Sequence, residues 1–316
     1  MTSTNPPRYA YLGPAGTFTE AALRQVASPE EAVYLPQVDV VGAIEAVRSD
    51  DADFAVVAIE NSVEGGVTAT LDTLATGAPL VLLREMLVPV AFVLAARAGT
   101  QLADVRRISA HPHAWAQCRR WLNTNLPHVV HVPATSNTAP AALLAGTDEQ
   151  LSFEAALVPP PALAHYGLAA LAEHVSDNES AVTRFVVVGH PGQVPAPTGS
   201  DKTTLVVHLA SDRAGALLEM LEQFAARGVN LSRIESRPIG DELGRYSFSI
   251  DAIGHVAEER MAEALMGLHR VCPQVRFLGS YPSAVSTPVE VQVGTTDAEF
   301  ADARGWVAAL RNGSTH

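Results

Sequence analysis

Five short stretches gather hydroxyls, amides, imidazoles and one guanidinium where apolar runs end. They are LGPAGTFTEAA (12–22) with Thr17 and Thr19, AIENSVEGGV (58–67) with Glu60, Asn61 and Ser62, SAHPHAWAQC (109–118) with His111 and His113, ATSNTAPAA (134–142) with Asn137 and Thr138, and DNESAVTRFVVV (177–188) with Thr183 and Arg184. Such groups bind anions and can lend one weakly acidic proton. They do not make a paired-carboxylate hydrolase, a thiol nucleophile or a Ser-His-Asp relay. His111 and His113 flank a proline with no carboxylate or thiolate beside them in sequence, so a cap or surface pair suits them better than a metal site. Taken singly, each stretch also reads as a capped turn: Thr17 as a helix N-cap, Ser62 as a turn cap, Thr138 ahead of Pro140 in a first helical turn.

The elements that must position these side chains are strands and helices in alternation. RYAYLG, AVYLP and DFAVVAIE read as strands, and TFTEAALRQVA as a helix. Asp39 as N-cap, with Val40, Ile44 and Val47 on one face, predicts a helix over 39–48. A second series runs VRRISAH, PHAWAQCRRWLNT, HVVHVPA, NTAPAALLAG, EAALVPP and GLAALAEHV. The apolar run 79–96 lies between the two series, and an apolar strand at 183–189 follows. This order predicts an α/β fold with two lobes facing a cleft, in which ligands sit at strand ends. Residues 191–202, PGQVPAPTGSDK, have the Pro, Gly and Ser content of a linker, and Lys202 reads as a linker charge. Beyond them the pattern is strand, helix, strand, strand, helix, strand, the ferredoxin-like βαββαβ arrangement. From Pro288 the chain reads as a loose strand-like piece and an amphipathic helix with Phe300, Trp306, Val307 and Leu310.

Composition narrows the function classes. The 316 residues are 47% hydrophobic and 17% charged, a globular balance. A net charge of −13 argues against nucleic acid as partner, and small metabolites fit better. The 79–96 run contains Arg84, Glu85 and Pro89, so it predicts no membrane span. The first residues carry no export pattern, and a cytoplasmic location is expected. Cys118 and Cys272 are too far apart for a thiolate metal motif. Of 21 basic residues only Lys202 is a lysine, and no Gly-Lys-Ser/Thr loop occurs, which disfavours Schiff-base and ATP-dependent chemistry.

Seven motifs in order, GPAGTFTE, IENSVEGGV, HPHAWAQC, YGL (166–168), TRF (183–185), GALL (215–218) and ESRP (235–238), closely resemble the prephenate dehydratase family with a C-terminal ACT domain. The resemblance spans about residues 8–283. It implies two periplasmic-binding-protein-like lobes forming a cleft at 8–190, lobe one being about 8–80 plus 183–190 and lobe two about 81–182. A linker at 191–202, an ACT regulatory domain at 203–283 and a tail at 284–316 would follow. Ala110-His111-Pro112-His113 stands where the family usually has Ser-His-Pro-Gln, Ala181 where an asparagine is frequent, and Asn137 where a serine is frequent.

The resemblance also implies an activity, the loss of carbon dioxide and hydroxide from prephenate to give phenylpyruvate for phenylalanine synthesis, with no cofactor and no metal. It assigns Thr183 the role of proton or hydrogen-bond donor to the departing hydroxyl, Arg184 that of carboxylate anchor, and Phe185 a place beside them. Thr17, Glu60, Asn61, Ser62, His111 and Thr138 are the expected substrate contacts. Gly215, Ala216 and Leu217, with Asn230, Leu231, Glu235, Ser236, Arg237 and Pro238 of a neighbouring subunit, are the expected phenylalanine pocket, so a homodimer or homotetramer is implied. An arogenate dehydratase and a non-enzymatic amino-acid sensor of the same fold are the alternatives.

Overall fold

The computed structural model of the chain describes residues 5–147, 150–209, 213–238, 246–287 and 289–313. Contacts divide it into two compact units, Met1–Thr70 with Met86–Val186, and Leu71–Glu85 with Val187–His316. Pro288, and the ends of two expected strands at Ile239 and at Gly244–Arg245, lie outside the described residues.

In chain order the first lobe supplies β1 (Arg8–Leu12), α1 (Phe18–Leu23), β2 (Val33–Gln37), α2 (Val40–Arg48), β3 (Phe54–Asn61), β4 (Gly65–Gly66), α3 (Thr68–Ala75) and β5 (Val81–Pro89). The second supplies β6 (Val93–Ala96), β7 (Arg107–Ala110), α4 (Pro112–Gln117), α5 (Arg119–Asn125), β8 (Val130–Pro133), α6 (Ala139–Ala145), β9 (Ala155–Val158), α7 (Pro160–Tyr166) and β10 (Ala169–Ala172). The chain then returns to the first sheet as β11 (Val182–Gly189). That sheet runs β2-β1-β3-β11-β5 with β4 attached to β3, and the second runs β10-β6-β9-β7-β8. The expected boundary near residue 81 is therefore corrected: β5 completes the first sheet and the second lobe's sheet begins at β6. A continuous apolar run cannot by itself say which sheet receives it.

Local signals that act within a few residues are realised. Asp39 caps α2 by accepting the Gly42 N–H at 2.7 Å, and Thr17 caps α1 by accepting the Glu20 N–H at 3.2 Å. The second lobe packs Phe92, Leu94, Ile108, Leu122 and Leu157 into a core that also takes Cys118.

The second unit holds β12 (Asp201–His208), α8 (Ala216–Ala225), β13 (Leu231–Pro238), β14 (Tyr246–Ile253), α9 (Glu259–Val271), β15 (Gln274–Pro282) and α10 (Asp297–Arg311). Its antiparallel sheet runs β13-β14-β12-β15, the predicted βαββαβ order. Leu205, Val207 and Ile250 pack with Met220, Phe224, Met261 and Leu268 of α8 and α9. Strand alternation turns Lys202, Thr204, Arg233, Arg237 and Asp251 to the opposite face. Lys202 is not a linker charge, because β12 begins at Asp201 and the ammonium is bound by both oxygens of Glu85 at 3.0 Å. The tail forms α10 behind a capping box of Thr296 and Glu299, with Arg304 paired to Glu259, and none of the residues of α10 is buried. Among the described residues no helix is long and apolar enough to cross a membrane.

Candidate active site

Return of the chain as β11 beside β3 decides which side chains meet. The Ser62 N–H donates to the Val182 carbonyl at 2.9 Å, and the Val182 N–H donates to Ser62 Oγ at 2.9 Å. This register sets Asn61 opposite Thr183 and Glu60 opposite Arg184. Asn61 Nδ2 donates to Thr183 Oγ1 at 2.8 Å, and Arg184 Nε donates to Glu60 Oε2 at 3.0 Å. Successive side chains of a strand face opposite ways, so Thr183 and Arg184, adjacent in sequence, serve different sides of the sheet. Phe185 shares the Thr183 side and is 2% exposed, a packing position beneath the hydroxyl.

The Asn61 amide cannot be turned round. Its Oδ1 accepts the N–H groups of Val63 at 2.8 Å and Glu64 at 3.3 Å, so only the NH₂ can face Thr183. Thr183 Oγ1 is thereby an acceptor, and no described residue takes its own proton. The same holds for Ser62, whose Oγ accepts from Val182. Thr183 is 8% exposed. An N–H aimed at its oxygen stabilises negative charge there, which makes the hydroxyl a better proton donor.

The second lobe reaches this turn through α4. His113 Nδ1 lies 2.7 Å from Glu64 Oε2, and Gln117 Nε2 lies 3.4 Å from Glu64 Oε1. No carboxylate stands beside these histidines in sequence, and the fold brings one from 49 residues away, the separation of Glu64 and His113. His111 caps α4, its Nδ1 accepting the His113 N–H at 3.3 Å. Burial, and then His113, hold the His111 imidazole below its usual range. Burial pushes the Cys118 thiol up to about 12, so it stays protonated and unreactive.

Other expected contacts are placed differently. Thr17 Oγ1 donates to the Leu12 carbonyl at 3.2 Å besides capping α1, so its proton is already used. Thr138 is fully buried at the start of α6, and its hydroxyl and Asn137 Oδ1 have no hydrogen-bond partner among the described residues. A cavity of about 470 Å³ between α1 and α7 takes only Thr17 of the expected contacts and is lined also by Glu20, Arg24, Pro161 and His165. The Thr183 turn, where donors converge, is the better-built site. Glu64, Gln117 and Tyr166, whose hydroxyl donates to the Ala15 carbonyl at 3.1 Å, were missed as linking residues. Glu64 lies inside a quoted motif, and only its distance from α4 in sequence hid its role. Among the described residues no group of three His, Cys, Asp or Glu side chains is placed to hold a metal ion.

In the second unit Gly215 takes φ +87° as N-cap of α8, with Ala216 and Leu217 in the first turn. Asn230 precedes β13, an edge strand whose Glu235 lies opposite Ser249, Ser236 opposite Phe248 and Pro238 opposite Tyr246. Arg237 is not free: its Nε and Nη2 bind both oxygens of Asp72 at 3.0 and 2.9 Å.

Residues 9–193 match the family model described as prephenate dehydratase, and residues 203–270 match the ACT domain. The chain belongs to the prephenate dehydratase family. It is 44% identical over 308 residues to a prephenate dehydratase of Amycolatopsis methanolica, covering 97% of this chain and 98% of that one. A solved prephenate dehydratase of Arthrobacter aurescens in complex with L-Phe is 53% identical, with a TM-score of 0.91 over 96% of this chain and 99% of that one. A quorum quenching acylase, GqqA, is 28% identical with a TM-score of 0.75, covering 87% of this chain and 98% of its own. A family member with an ACT domain thus has two lobes and a regulatory module in one chain, as the sequence resemblance implied.

Proposed function

We infer that the chain is a prephenate dehydratase regulated by phenylalanine, and that Thr183 is its proton donor. The observation that carries the catalytic assignment is the Asn61–Thr183 pair, an amide locked so that the threonine hydroxyl accepts from it and keeps its own proton to give. In the reaction the bond between the ring and its carboxylate breaks, and that electron pair moves through the ring to expel hydroxide from the opposite carbon. The departing oxygen takes a proton, so carbon dioxide and water leave and phenylpyruvate remains. Aromatisation drives the step, and the protein has to supply a proton and hold a dianion. Thr183 gives the proton, with Asn61 Nδ2 stabilising the oxygen left behind, and water or a second donor restores it. Ser62 Oγ, which accepts from the Val182 N–H, likewise keeps its own proton. Arg184 lies on the other side of the strand with its Nε bound by Glu60, so in this reading it positions Glu60 beside Asn61 rather than gripping a carboxylate from the Thr183 side.

Phenylalanine is the regulator in this reading, held at Gly215–Leu217 and by β13 of a neighbouring copy, which requires at least a dimer. Gly215 in the left-handed region lets a ligand approach the start of the ten-residue α8. The likeness to an acylase does not displace this reading, because among the described residues neither Thr183 nor Ser62 is hydrogen-bonded to an imidazole or carboxylate that could activate it as a nucleophile. The deciding experiment follows phenylpyruvate formation from prephenate, and the parallel product from arogenate, with and without phenylalanine. Prephenate is expected to turn over and to be preferred. Binding of amino acids without turnover would identify a sensor instead.

A further inference from the structure

Eight-residue α3 is shared between two kinds of contact. At its start Thr70 Oγ1 donates to the Ala58 carbonyl of β3 at 2.5 Å, and the Val67 N–H just before it donates to the Ile59 carbonyl at 2.9 Å. β4, immediately upstream, pairs Gly66 with Glu60 and Gly65 with Asn61. The start of α3 is therefore tied to the strand whose Asn61 orients Thr183. The rest of α3 belongs to the unit of the C-terminal sheet, which holds it from both edges. On edge strand β13, Arg237 binds Asp72 with two parallel hydrogen bonds of 3.0 and 2.9 Å. On edge strand β15, Arg276 donates to the Ala75, Gly77 and Ala78 carbonyls at 3.1 to 3.3 Å, which gives the end of α3 a cation where its free carbonyls favour one.

We propose that the Arg237–Asp72 pair couples the phenylalanine site to the catalytic turn, through α3 moving as one body against Ala58 and Asn61. The proposal rests on the reading of β13 as part of the phenylalanine pocket, since Arg237 is the third residue of Glu235-Ser236-Arg237-Pro238. A ligand that favours one position of β13 over another biases α3 by the same preference, because a bidentate guanidinium–carboxylate pair fixes orientation as well as distance. An ion pair this exposed adds little to stability, so its removal leaves fold and basal turnover in place.

The test uses the full-length chain and the variants Asp72→Ala and Asp72→Glu. Phenylalanine binding is measured by calorimetry, and turnover of prephenate as phenylalanine is raised. Asp72→Ala is expected to turn over at the wild-type rate and still bind phenylalanine. Its half-inhibitory concentration should rise about fivefold or more, the lower end of ordinary coupling between sites. Asp72→Glu, which restores a carboxylate, should recover part of the response. Inhibition of Asp72→Ala with wild-type potency and extent overturns the coupling role alone. Loss of phenylalanine binding in Asp72→Ala also overturns it, by making Asp72 a pocket residue. A wild-type chain indifferent to phenylalanine overturns the regulatory reading and the coupling with it.

Discussion

In the proposed reaction Thr183, a weak acid, acts as proton donor, and its surroundings favour that role. Asn61 Nδ2 reaches its oxygen at 2.8 Å while the Asn61 carbonyl oxygen is occupied by two backbone N–H groups. Thr183→Ala is expected to lower turnover about 10²–10⁴-fold, the usual worth of positioned acid catalysis, while Thr183→Ser keeps most activity because the hydroxyl survives. The check is kcat for prephenate alongside a thermal melt. Equal loss in the alanine and serine variants would give the methyl group's packing, rather than the hydroxyl, the leading part. The Thr-Arg-Phe motif stands out in the sequence, yet its internal division does not. Sequence adjacency suggests one cluster, whereas strand alternation sends Thr183 to Asn61 and Arg184 to Glu60. Only the pairing of β11 with β3 discloses those partners.

At the scale of elements, what was readable is what neighbours in sequence determine. The helix expected from Asp39 is α2, starting at Val40 and ending at Arg48, because cap and apolar stripe lie within ten residues. The partners of α4 come from another lobe and left no such trace. His111 caps this helix through an unprotonated Nδ1, so the cap depends on a neutral ring. Burial first, and His113 second, lower its pKa, with Glu64 opposing them. A base with a lowered native value takes up its proton first in the unfolded chain. The stability it contributes is thus complete above about pH 6.5 and is lost as the pH falls through the lower native value. Melts of the wild type and His111→Gln from pH 8 to pH 5 should show the wild type falling more steeply below about pH 6.5. An NMR titration placing the His111 midpoint at or above that value would remove the basis for this difference.

For the whole molecule, contacts place Leu71–Glu85 in the same compact unit as Val187–His316, a grouping that a linear division at residue 190 does not carry. A boundary read from Pro- and Gly-rich composition can find a linker but cannot show that an earlier segment joins the later domain. Lys202 is the tie that composition misread. Its partner Glu85 has a side chain 1% exposed and also accepts from Ser283 Oγ at 3.0 Å and the Ala284 N–H at 2.8 Å. Taking the ammonium away removes a cation from a buried carboxylate, and breaking a buried pair costs about 3–5 kcal/mol, with the lower end fitting here because the Ser283 and Ala284 donors remain. Lys202→Met should therefore melt several degrees below the wild type. Replacing both partners takes the buried carboxylate away together with its cation, so Lys202→Met with Glu85→Leu should recover much of the loss. Differential scanning calorimetry of the three proteins decides the matter. If Lys202→Met melts with the wild type, the pair contributes no stability, and the hold on this segment falls instead to Arg276, which binds the carbonyls at the end of α3.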